Sequence, residues 1–188
     1  LSTGMSNIKE IVNAINIISK KKIYKIIGNR VMIMNNKYLN YIKKKLIIMH
    51  CVTDYPVMDK YANLQCINTL QKKLRLNIGY SDHTKGIVAP LIAVSKGAKV
   101  IEKHFTLNKK MSGPDHAASL DPKEFEEMVK SIRTFELMNG NGKKTLFKCE
   151  KINKKIVRKS LVAYQYIKKG EKFTKRNLTT KRPGNGVC

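Results

Sequence analysis

Two histidines, His83 and His104, stand where short apolar runs give way to polar loops. The first follows Asn77-Ile78-Gly79-Tyr80, and the second lies in Lys99-Val100-Ile101-Glu102-Lys103-His104-Phe105. Runs of that length and composition read as buried strands. On neighbouring strands their imidazoles can converge on one divalent ion. Glu102 lies two residues before His104, so a period of two places both side chains on one face. Two imidazoles, a nearby carboxylate and open positions suit a metal that polarises a substrate oxygen. A strand-end histidine held by structural hydrogen bonds is the commoner case, and spacing alone leaves both readings standing.

Ser2 and Ser81, with the N–H groups of the loops around them, are candidates for holding a phosphate or a carboxylate. Plain turn chemistry accounts for the same Ser, Gly and Asp residues without any ligand. His50 and Cys51 do not make a nucleophile pair, because adjacent strand residues face opposite sides. His116, in Gly113-Pro114-Asp115-His116, is a loop residue with a supporting role at most.

These clusters all fall where a strand ends, which is where a parallel α/β barrel carries its chemistry. Leu46 to His50 reads as a strand, and a helix follows from about Asn63 to Leu74, with Leu64, Ile67 and Leu70 on one face. A strand at 77–80 leads to a helix at 87–96, with Gly97 where a C-terminal cap belongs. A further strand covers 99–105, and a polar loop runs to Leu120. Asp121, Pro122 and Glu124 then start a helix that reaches about Met138. This alternation predicts βαβ units and a parallel sheet. Residues 19–45, bounded by lysine triplets and rich in Lys, Asn, Ile and Tyr, read as an insertion or a lengthened helix and loop. After Gly142 a basic linker leads to a small module, with strands expected at 160–163 and 171–174.

The chain of 188 residues suffices for one domain and a small appendage. Its formal net charge of +25 raises the question of nucleic acid or an anionic membrane as partner. The lysines are scattered, without interleaved aromatics on one helix face, so a solvated, lysine-biased surface is the expectation and nucleic acid is not an expected partner. Four cysteines without CxxC spacing exclude a zinc ribbon or a thioredoxin motif. A cytoplasmic, reducing location fits. The chain opens with no recognisable signal peptide, and its apolar runs are too short to span a bilayer.

The blocks Leu1-Ser2-Thr3-Gly4-Met5, His50-Cys51-Val52-Thr53-Asp54-Tyr55-Pro56, Gly79-Tyr80-Ser81-Asp82-His83-Thr84, Glu102-Lys103-His104-Phe105-Thr106 and Gly113-Pro114-Asp115-His116 resemble the signatures of the sialic acid (N-acetylneuraminate) synthases. Arg158-Lys159-Ser160-Leu161-Val162-Ala163 and Lys181-Arg182-Pro183-Gly184-Asn185-Gly186 resemble that family's antifreeze-like (SAF) domain. The blocks come in the family's order and cover nearly the whole chain outside 19–45.

The resemblance implies an α/β fold: strands five to eight of a TIM (β/α)8 barrel at 1–140, a linker at 141–155 and a truncated antifreeze-like domain at 156–188. It implies condensation of phosphoenolpyruvate with N-acetylmannosamine, or a related N-acetyl amino sugar, to give N-acetylneuraminate and phosphate. By the same resemblance His83 and His104 hold Mn2+, with Mg2+ or Co2+ as alternatives. Ser2 and Ser81 contact phosphoenolpyruvate, Tyr55 and Asp115 contact the amino sugar, and Glu102 orients water or substrate beside the metal. Arg182 is expected to enter the partner subunit's site in a domain-swapped homodimer. Because strands one to four are not in the sequence, these residues alone are expected to be inactive.

A legionaminic or pseudaminic acid synthase is the alternative within the class. From another class, the chain is a non-catalytic, basic, nucleic-acid-binding remnant. Filter binding to unrelated DNA and RNA across a salt series separates the classes. The expected outcome is weak binding at physiological salt; tight, steeply salt-dependent binding with no bound metal supports the remnant.

Overall fold

In the computed structural model, which describes residues 1–187, Asn7 and Glu10 start the first element by capping each other. The Asn7 side chain accepts from the N–H groups of Lys9 and Glu10, and the Glu10 carboxylate accepts from the Asn7 N–H at 2.7 Å. This capping box opens helix α1 (Ile8–Ser19), which buries Ile11, Val12 and Ile15. Antiparallel strands β1 (Tyr24–Ile27) and β2 (Arg30–Ile33) follow around a Gly28-Asn29 loop in which Gly28 has φ 55°. Helix α2 (Asn36–Ile42) is capped by Asn35.

The segment 19–45, expected as an insertion or a lengthened helix and loop, folds as a hairpin and a short helix. Ile23, Tyr24, Leu39 and Ile42 belong to the same buried core as α1. The Tyr24 hydroxyl donates to the Leu74 carbonyl at 2.6 Å, and burial pushes its phenol above the ordinary range. Lysines on the outward positions mask an ordinary two-residue alternation.

The centre of the first unit, Leu1–Gly140, is a parallel sheet in the order β3 (Ile47–His50), β4 (Asn77–Asp82) and β5 (Ile101–Lys103). Helices α3 (Gln65–Leu74), α4 (Val88–Ser95) and α5 (Pro122–Asn139) connect and follow these strands. Ser2 adds a parallel bridge to Met49 at the outer side of β3. The register pairs Met49 with Gly79, Ser81 with Glu102 and Asp82 with Lys103. Close strand approach excludes a side chain at 79, since a Cβ there would lie 2.9 Å from the Val100 carbonyl oxygen and would run into Met49. Ile48, Ile78 and Tyr80 point away from that face and pack with Ile67, Leu70 and Leu74 of α3 and Ala93 of α4. Alpha-helix α4 closes at Gly97 (φ 92°), with Ala98 N–H reaching back to the Ala93 carbonyl. Asp121, Pro122 and Glu124 form the expected start of α5.

The second unit, Asn141–Cys188, contains helix α6 (Glu150–Val157) and antiparallel strands β6 (Ser160–Ala163) and β7 (Leu178–Lys181). Two expectations change here. The stretch expected as linker is helical from Glu150 onward, and the partner of β6 is 178–181 rather than 171–174. Buried Asn177 explains the second change. Its amide donates to the carbonyl of Lys172 at 3.0 Å and accepts from the Thr174 N–H at 2.7 Å, folding 171–177 into a turn instead of a strand. Among the described residues Cys51, Cys66 and Cys149 are free thiols, and no helix is long and apolar enough to cross a membrane. Cys188 lies outside the described residues.

Beneath the end of β3, His50 is buried, donates from Nε2 to the Ala62 carbonyl at 2.9 Å and stacks on Tyr80 at 5.7 Å. Burial lowers its pKa below the ordinary 6.5, against the smaller opposing pull of the Ala62 and Asn63 backbone. Above 6.5 the ring is neutral folded and unfolded alike. Below it the unfolded chain takes up a proton that the folded chain refuses, so this group's stabilisation is lost as pH falls. The thermal midpoint is expected to drop between about pH 7.5 and about pH 5.5, and to drop less in His50→Gln, which keeps the donor to Ala62.

Candidate metal and substrate site

Parallel pairing decides which side chains meet. Ser81 lies opposite Glu102, so both project from the sheet face that carries Gly79, and the Ser81 hydroxyl donates to Glu102 Oε1 at 2.6 Å. One step past the ladder, His83 and His104 bring their rings within 5.3 Å, centroid to centroid, at an interplanar angle of 77°. Tyr55, on the loop after β3, lies over both rings, 4.2 Å from His83 and 5.6 Å from His104.

The orientation of each imidazole has a visible cause. His83 Nδ1 donates to the Val52 carbonyl at 2.8 Å, a partner that only accepts. The proton is thereby held on Nδ1, and Nε2 keeps its lone pair, with the Ser81 hydroxyl 3.4 Å away. A backbone carbonyl on the far nitrogen is the usual support of a metal-binding histidine. His104 Nδ1 lies 3.7 Å from Asp115 Oδ2, a carboxylate on the same far side. Asp115 sits in the long loop after β5, beside His116, whose Nδ1 meets the Thr106 hydroxyl at 2.7 Å.

Tyr55, His83, His104 and Asp115, with Pro56, Asp82, Thr84, Lys103 and Ala118, enclose a cavity of about 10 Å³, the size of a single water. Thr84 Oγ1 is buried and has no hydrogen-bond partner among the described residues. Among these residues no group of three or more His, Cys, Asp or Glu side chains is placed to hold a metal by itself. The donor set is two imidazoles, which fits a divalent ion whose remaining positions are filled by water and substrate oxygens.

The structure thus gathers Tyr55, Ser81, His83, Glu102, His104 and Asp115 into one cluster at the strand ends. Ser2 is exposed, level with Met49 and Gly79, and shares their face one strand further out. Arg182 belongs to the second unit, where its Nε donates to the Val157 carbonyl at 2.8 Å. Sequence reasoning missed Asp82, Lys103 and Thr84. The available signal was the charged pair at positions alternate to Ser81 and Glu102, which period two turns inward.

The chain is similar to known proteins along most of its length. The NeuB family pattern matches residues 1–144. The N,N'-diacetyllegionaminic acid synthase of Campylobacter jejuni is 46% identical over 187 residues, covering 100% of this chain and 51% of that protein. The pseudaminic acid synthase of the same species is 41% identical over 143 residues, 76% of this chain and 41% of its own length. Among solved structures, N-acetylneuraminic acid synthetase from Leptospira borgpetersenii, in complex with citrate, superposes with a TM-score of 0.62 at 35% identity, covering 81% of this chain and 46% of that one. The chain spans about half the length of the curated relatives that it matches along its whole length. With its parallel α/β sheet shared with the synthetase and the family's pattern running through both histidine strands, this chain belongs to the NeuB family.

Proposed function

We propose that the chain works in a sugar-acid synthase that condenses phosphoenolpyruvate with an N-acetylated amino sugar, giving a nine-carbon sugar acid and phosphate. The observation that carries the reading is the convergence of His83 and His104 from neighbouring strands beneath Tyr55. Their Nε2 atoms would hold a divalent ion, Mn2+ with Mg2+ or Co2+ as alternatives, and water and substrate would complete its shell. Such an ion supplies a Lewis acid that polarises the sugar aldehyde toward the enol carbon of phosphoenolpyruvate.

The remaining roles belong to side chains. Ser2 and Ser81 face the same side of the sheet and are proposed to bind the phosphate and carboxylate of phosphoenolpyruvate. Glu102 accepts from Ser81, which fixes the hydroxyl, and its other oxygen is free to orient water or substrate. Tyr55 lies against both imidazoles, while Asp115 is shared between His104 and an amino-sugar hydroxyl. Arg182 is proposed to contact the N-acetyl group in the other subunit of a domain-swapped homodimer.

Two amino sugars are supported by the relatives. The 46% identity to a diacetyllegionaminic acid synthase favours a 2,4-diacetamido sugar, and the similarity to an N-acetylneuraminic acid synthetase favours N-acetylmannosamine. Product analysis of the complete gene product with both sugars and phosphoenolpyruvate decides between them. The expected outcome is at least tenfold faster turnover of the diacetamido sugar, about 1.4 kcal/mol of transition-state preference.

Binding of Mn2+ to the chain, followed by electron paramagnetic resonance, tests the site itself. His83→Gln and His104→Gln are each expected to weaken it by at least about 100-fold, more than the loss of a supporting partner costs. Unchanged affinity in either variant removes the metal site from the proposal.

A further inference from the structure

Beside the two histidines, at the alternate positions of the same strands and lining the same small cavity, lies an ion pair shielded from water. Asp82 and Lys103 form the last rung of the β4–β5 ladder, and their side chains are 0% and 2% exposed. Lys103 Nζ donates to Asp82 Oδ2 at 2.7 Å and to the Thr84 carbonyl. Asp82 Oδ1 accepts from the Tyr80 hydroxyl at 3.0 Å and from the Thr84 N–H at 2.8 Å.

Stability alone gives no reason for charge at this position. A buried ion pair costs desolvation of both partners, and apolar side chains of similar volume often hold a fold as well or better. What apolar side chains cannot do is grip a backbone from both sides. Here the N–H of Thr84 is taken by Asp82 and its carbonyl by Lys103, so the two peptide units flanking Thr84, the residue after His83, are tied to the residue preceding His104. Thr84 also bridges in parallel to Val57, and Val57 N–H donates to the His83 carbonyl at 2.8 Å. The same knot therefore joins the segments that carry Tyr55, His83 and His104.

We propose that Asp82 and Lys103 are positioning residues, a buried clamp that sets the separation and orientation of the His83 and His104 rings for a shared divalent ion. The proposal rests on the reading of those rings as a metal site. Their hydrogen bonds go to each other, to Tyr80 and to the Thr84 backbone, so they act through Thr84 and the strand ends.

The test compares Mn2+ affinity with the thermal midpoint in the full chain. Lys103→Met leaves a buried carboxylate unpaired and is expected to lower both. The double variant Asp82→Asn with Lys103→Met removes both charges and is expected to recover the midpoint relative to Lys103→Met. It is still expected to bind Mn2+ at least about tenfold more weakly than the parent, because no donor reaches the Thr84 carbonyl. A matched double variant, Asp82→Asn with Lys103→Gln, restores an N–H donor at 103 and is expected to return the affinity to within about threefold of the parent, within the range that loss of a supporting partner spans.

Parent-like Mn2+ affinity in the folded Met double variant overturns the clamp while leaving the metal site intact. Absence of Mn2+ binding by the parent chain overturns the metal reading, and the clamp with it. Should the Met double variant not fold, Tyr80→Phe, which removes one hydroxyl from the clamp, decides the matter. An unchanged midpoint with affinity lowered threefold or more supports the proposal, and unchanged affinity sinks it.

Discussion

In a parallel ladder, a slip of one residue exchanges the two faces of a strand, and the β4–β5 register is the constraint on which this structure depends. With Ser81 opposite Glu102, the hydroxyl and carboxylate face the sheet side that carries Gly79, and Asp82 and Lys103 pair with each other at the alternate positions. Slipped by one, the ladder would bury Glu102 without a cation and leave Lys103 among the imidazoles. Both changes leave charges where nothing compensates them. Gly79 assists from the same face, since its missing side chain lets Met49 and the Val100 carbonyl close in and keeps the strands in step.

The packing beneath the site and the chemistry above it share residues. Tyr80 stacks on His50 and hydrogen-bonds Asp82, so the core under α3 is continuous with the polar rung at the strand ends. Burial pushes the Tyr80 phenol well above its ordinary range, with the Asp82 charge adding to the effect. His50 makes the opposite case, a base kept neutral by burial whose cost appears only in acid. At the far end, the hairpin and α2 add Ile23, Tyr24, Leu39 and Ile42 to the same core, and the basic side chains of that segment stay in water. Exposed pairs such as Lys130 with Glu126 and Arg133 with Glu136 contribute little to stability.

Two imidazoles without further ligands among the described residues would make an open metal site, suited to a substrate that brings its own oxygens. The two proposed substrates, phosphoenolpyruvate and an amino sugar, both do. The far nitrogens, on the Val52 carbonyl and near Asp115, leave the near nitrogens to the ligand. The family match extends over the strands that carry this geometry.

Much of this could be read from the residues. Strand-end positions of His83, His104 and Glu102, the capped start of α5 at Asp121 and the glycine stop of α4 follow from local rules of period, cap and turn. Those rules act over a few residues, so a single sequence displays them. The hairpin at 24–33 and the turn held by Asn177 escaped because each is stabilised by contacts distant along the chain or by one buried amide whose partners lie in neighbouring backbone. The inward pairing of Asp82 with Lys103 escaped for a related reason. An acid and a base 21 residues apart look like surface charges until the register between two strands puts them on the same buried rung. Residue types and their spacing therefore made the strand-end histidines candidates for a metal without deciding it, and the three-dimensional register alone decided which groups stand close together.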